Sequence, residues 1–88
     1  GLLVACSSAL YLPTVSDTER SGVSNEDLNK GRALYINRCG SCHNLHLPEQ
    51  YSQAKWMKEM PVMEKKAKIS TEETKLITHY LLARCKPE

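Results

Sequence analysis

Apolar positions recur at helical spacing in three stretches of this chain, and no stretch alternates convincingly as a strand would. The first begins at Ser24, in "SNEDLNKGRALYINRC", where Leu28, Gly31, Leu34, Tyr35 and Arg38 follow steps of three and four. Ser24 with Asp27 approximates a capping box, with Asp where Glu or Gln is usual. Gly31 costs helix stability, so its presence predicts close approach by another element. The second stretch starts at Ser52 and runs through Trp56 to Met60. Pro61 is expected to end it, because a proline lacks the amide donor and clashes with the preceding turn. The third starts at "STEE", where Ser70 and Glu73 make a capping box and acids sit at the positive helix end. Leu76, Ile77, Tyr80, Leu81 and Arg84 continue it, and Ile77, Tyr80, Leu81 and Cys85 offer an apolar stripe. The expected architecture is an all-α domain over residues 25–86, with no internal repeat.

The preceding chain reads differently. Residues 12–24, "LPTVSDTERSGVS", carry Pro, Gly, Ser and Thr without a sustained apolar period, and are expected to be a linker. The chain opens "GLLVACSSALYL". Leu3-Val4-Ala5-Cys6 resembles a bacterial lipobox, which implies a signal remnant over 1–5, lipid on Cys6 and a flexible tether over 6–24. A tether of about 18 residues has a root-mean-square reach of roughly 20–25 Å. The apolar run is far too short to span a bilayer, so acyl chains would do the anchoring. Ser7 after the Cys resembles the outer-membrane sorting pattern. The implied location is the periplasmic or cell-surface side of a bacterial membrane, by preference the outer one.

Size and charge narrow the chemistry. A chain of 88 residues has a small core, and such domains often add a covalent or metal staple. Phe is absent, so something other than an aromatic cluster is free to fill the centre. A net charge of +2 gives no case for nucleic acid. The four cysteines do not read as two disulfides: Cys6 and Cys85 lie near the ends, and Cys39 and Cys42 lie close together.

Those two belong to "CGSCH", residues 39–43. Cys-x-x-Cys-His resembles the haem attachment site of c-type cytochromes. Cysteines three apart on a helical turn lie on one side, so both sulfurs can bond one porphyrin. His43 follows at once and can reach the iron. A redox dithiol wants a βαβ context, which is missing. A zinc site of Cys39, Cys42, His43 and His46 would crowd four ligands into eight residues.

The resemblance extends over residues 25–84. Gly31 and Tyr35 before "CGSCH", a Trp-containing helix, and "MEKKAKISTEETKLITHYL" are similar to the small class I monohaem cytochromes. It implies a cytochrome c-like helical domain wrapped around one haem c, covalently held by Cys39 and Cys42. It also implies that the first and last helices cross closely, with Gly31 and Tyr35 against Ile77, Tyr80 and Leu81.

A His/Met pair on haem iron is the electron-transfer arrangement, and the thioether raises the potential. His46 is too near His43 to cross the ring, and His79 lies inside the last helix. Met57 points about 100° away from Trp56 and has no assigned role. Met60 shares the face of Trp56, a core position beside a flat cofactor. Met63 is expected beyond the helix end at Pro61, in extended chain able to turn toward iron. The family pattern of Trp, then Met seven residues on, then a basic run and a capped helix agrees with Met63.

Supporting roles follow from chemistry and from the resemblance. His43 needs a backbone carbonyl near Leu47 or Pro48 for its other nitrogen. Trp56 resembles the family Trp that donates to a haem propionate, with core packing as the alternative. Lys55, Lys58, Lys65, Lys66 and Lys68 would form a basic rim able to steer an acidic redox partner, or a plain solvated face. Cys85 reads as a buried thiol on the last helix. Together these imply a membrane-tethered electron carrier with both axial sites filled, no small-molecule substrate and no enzymatic reaction. The alternative is a haem sensor or peroxidase-like protein with a displaceable sixth ligand.

Overall fold

The computed structural model describes residues 10–39 and 45–87, and within them the chain is all-α. Four helices follow in order: α1 (Val15–Ser21), α2 (Asn25–Arg38), α3 (Gln53–Ala67) and α4 (Thr71–Ala83). A 3-10 turn, Pro48–Gln50, lies before α3.

The helix starts follow their caps. The Ser24 hydroxyl accepts the Asp27 amide at 3.1 Å, without the reciprocal half of a capping box. Ser52 caps α3 through the Lys55 amide. Ser70 and Glu73 form the complete box, at 3.0 and 3.1 Å. Each hydroxyl satisfies an amide that the first turn leaves unpaired.

The end of α3 departs from expectation. The helix continues through Pro61 to Ala67, seven residues further than the sequence predicts. Proline forfeits its own hydrogen bond to the carbonyl four residues back, that of Met57, and its ring crowds that carbonyl. Both Met57 and Pro61 are exposed, so water reaches that side. The opposite side carries Trp56, Met60, Met63 and Ala67, and packing that stripe against the core outweighs the proline. The helix closes instead at Lys68, which is left-handed at φ 55°, with the Ile69 amide donating back to the Glu64 carbonyl at 3.2 Å.

Helices α2 and α4 make the principal contact, and α3 packs on α4. Gly31 sits where α2 meets α4. A Cβ there would lie 2.2 Å from the Leu76 carbonyl oxygen and 2.9 Å from Tyr80 Cβ. The close approach that Gly31 predicts is therefore present. Leu28, Tyr35, Ile77, Tyr80 and Leu81 are buried around it.

The second departure is the expected tether. Residues 10–24 are docked, not free. Thr14 and Asp17 form a capping box that starts α1, and Gly22, left-handed at φ 73°, ends it. Leu10 is 2% exposed and belongs to the core. Tyr11 stacks on Tyr80, ring centroids 4.4 Å apart, and Arg32 donates to the carbonyls of Tyr11 and Leu10. Asp17 is fully buried, and its carboxylate accepts two bonds from Arg84, at 2.9 and 3.0 Å. It also accepts from the Thr14 amide and from Arg20. Those charged bonds hold the Asp17 carboxyl down to about 2, the Arg84 bond most of all, against the upward push of burial. The body thus includes residues 10–24 as well as those from residue 25 onward.

Candidate functional site

A cavity of about 300 Å³ opens between the C-terminal end of α2 and the second half of α3. It is lined by Arg38, Cys39, Met63, Lys66 and Ala67. Cys39 is the first cysteine of "CGSCH". It terminates α2, its amide donating to the Tyr35 carbonyl, and is half-buried. Burial pushes its thiol up to about 11, so it stays protonated at neutral pH. Cys42 and His43 lie outside the described residues, as does Cys6.

Met63 reaches this cavity from a helix, whereas extended chain was expected. Because α3 does not stop at Pro61, Met63 falls seven residues after Trp56, two turns along the same stripe. Trp56 and Met60 are 1% and 3% exposed, deep in the core. Met63 is only half-buried and faces the cavity. The helix therefore separates the two methionines by depth. Met57 points to solvent. Arg38 and Ala67 join the lining by register alone: one precedes Cys39, the other follows Met63 by a turn.

The segment after "CGSCH" is fixed at two carbonyls. The Tyr35 hydroxyl donates to the His46 carbonyl at 2.7 Å, and the Trp56 indole donates to the Pro48 carbonyl at 2.9 Å. Burial raises the Tyr35 phenol well above its ordinary value, so it remains a donor. The indole hydrogen of Trp56 is thus committed to Pro48, the alternative of a core role, with its ring edge-on to Tyr35 at 6.3 Å. Pro48 is buried at the head of the 3-10 turn. His46 is exposed and shares a 3.2 Å hydrogen bond with the Tyr51 hydroxyl.

His79 lines a separate cavity of about 220 Å³ with Arg20, Ser21, Val23, Leu82 and Ala83. Of the cavity cations, Arg38 is paired with Glu73 at 3.3 Å. Among the described residues no three His, Cys, Asp or Glu side chains gather to hold a bare metal ion. No described helix is long and apolar enough to cross a membrane.

A thiol and a thioether are residue types that could serve a covalently attached porphyrin, the one as a point of attachment and the other as a ligand to its iron. A cysteine sulfur and a thioether line one cavity with an apolar Ala67 and cations at its edge. A thioether is a soft ligand used on haem iron, whereas zinc sites are built from Cys, His and carboxylates. Comparisons with family profiles, with curated proteins and with solved structures returned no match.

Proposed function

We propose that this chain is a monohaem c-type cytochrome that passes single electrons and is held at a membrane by lipid on Cys6. The observation that carries the reading is the meeting of Cys39 and Met63 in one cavity. Cys39 and Cys42 would hold the porphyrin covalently, and His43 and Met63 would be the residues that ligate its iron. Bound haem supplies a metal that cycles between ferric and ferrous states, and a His/Met pair favours electron transfer over substrate binding. The chain's own residues shape that site. Trp56 and Met60 exclude water behind it. Tyr35 and Trp56 fix the carbonyls of His46 and Pro48, and so the return of the chain after the haem motif. Lys66 and its neighbours Lys65 and Lys68 give the surface near the cavity positive charge, which suits an acidic redox partner.

Alkaline pyridine haemochrome analysis tests for the cofactor. A red colour that survives denaturation is expected, and a colourless denatured chain would remove the proposal. Met63→Ala tests the ligand: the Met-to-iron absorption band of the oxidised protein should vanish. Rapid, tight carbon monoxide binding by the reduced parent protein would instead favour a sensor or peroxidase-like role.

A further inference from the structure

Lipid on Cys6 and a docked arm beginning at Leu10 leave very little chain between them. Four residues span at most about 14 Å even when fully extended. Leu10 is fixed in the core, and Tyr11 is stacked on Tyr80. An anchored body would therefore stay at the headgroups, with the arm as its nearest part. The arm carries the two most exposed large hydrophobic side chains among the described residues, Val15 at 73% and Leu12 at 65%. They are three residues apart, so their backbones lie within about 11 Å of each other. Residues 6–16, "CSSALYLPTVS", contain no charged side chain. The next residue, Asp17, has its charge buried and answered by Arg84 and Arg20. Nothing charged in this stretch opposes its entry into a bilayer interface, where exposed Leu and Val would leave water.

We propose that Leu12 and Val15 form a membrane-docking edge, inserted at the bilayer interface beside the lipid on Cys6, which gives the domain a set orientation instead of free rotation. The inference rests on lipidation of Cys6. Its chemical partner is a lipid surface.

The test uses full-length, haem-loaded, lipidated protein carrying Cys85→Ser, with Leu12→Cys or Val15→Cys bearing a nitroxide. Both labelled positions are solvent-exposed, so the labels do not disturb the core. The protein is reconstituted in liposomes of phosphatidylethanolamine and phosphatidylglycerol. Collision of the nitroxide with oxygen, which partitions into lipid, is compared with collision with an aqueous nickel chelate. The oxygen-to-nickel ratio should rise several-fold over that of the same label on unlipidated Cys6→Ser protein in solution. Intact mass of the membrane-extracted protein reports the lipid separately. Lipid present with an unchanged ratio overturns the docking edge and leaves the anchor standing. Lipid absent removes the anchor, and the docking edge with it. A label that is aqueous in liposomes but shielded from both reagents in native membranes overturns the proposal in favour of a protein partner.

Discussion

Gly31→Ala puts one methyl group where α2 meets α4. The new carbon would fall 2.2 Å from the Leu76 carbonyl oxygen and 2.9 Å from both the Leu76 carbonyl carbon and Tyr80 Cβ. An ordinary carbon–oxygen contact is about 3.3 Å or more, so the helices must part by about 1 Å. The obstructing atoms are backbone or Cβ, and no rotamer change relieves them. Overpacking of a core costs about 1–3 kcal/mol and sometimes more. Two rigid obstacles put this site at or just above that range, about 4 kcal/mol. Alanine recovers about 1 kcal/mol through better helix propensity. The net loss is about 3 kcal/mol, which for a domain of this size lowers the melting temperature by about 12–24 °C. Far-UV circular dichroism of the haem-loaded protein during heating reads it directly. Lys30→Ala, at the exposed position next door, should stay within about 0.5 kcal/mol of the parent. A Gly31→Ala protein that melts within about 3 °C of the parent, or above it, would refute the close crossing.

Pro61→Ala should raise stability by about 2 kcal/mol, because the residue is exposed and inside a continuous helix; a fall in urea midpoint would mean α3 breaks at Pro61. Trp56→Phe strips the Pro48 carbonyl of its buried donor and should cost about 2 kcal/mol in urea unfolding, so an unchanged midpoint contradicts that bond. Asp17→Asn should cost about 2 kcal/mol at neutral pH, through lost charge-assisted bonds to Arg84. The Asp17 carboxyl is held down to about 2 in the folded state, so its contribution is complete above the ordinary carboxylate range and fades as pH falls through about 2. The stability gap between parent and Asp17→Asn should accordingly close between about pH 4 and pH 2, and a gap that widens on acidification would contradict the sign.

Helix starts and the main crossing were legible because each rests on local chemistry. Ser52 and Ser70 cap where a hydroxyl must, and Gly31 is tolerated inside a helix only because a neighbour presses on it. The end of α3 was not legible. Pro61 is a strong local stop, while the true stop is Lys68 in a left-handed conformation that Gly or Asn usually provides. Tertiary packing of Trp56, Met60 and Met63 decides between them, and packing is not a local property. The spacing of seven residues from Trp56 points to Met63 whether or not the chain there is extended; Met63 lines the cavity because the helix persists. The arm had its own signals in Thr14, Asp17 and Gly22, the cap and stop of α1. They were obscured because a seven-residue helix is too short to show an apolar stripe, and because its buried residue is an aspartate whose partner lies 67 residues away. The cavity lining itself is partly register, as with Ala67 one turn after Met63, and partly the accident of which helix ends meet there.

That 67-residue separation also sets an order of assembly. Tyr11 and Tyr80 are 69 residues apart, and their contact joins the same two ends of the chain. Contacts so distant in sequence carry the full entropic cost of closing the loop before any return. A chain emerging end first cannot dock its arm until Tyr80 and Arg84 have appeared. The body stays unfastened while residues 39–43 pass, near the middle of the chain. Under the proposed function, attachment machinery would meet the two cysteines on an open scaffold, and the arm would latch only afterwards.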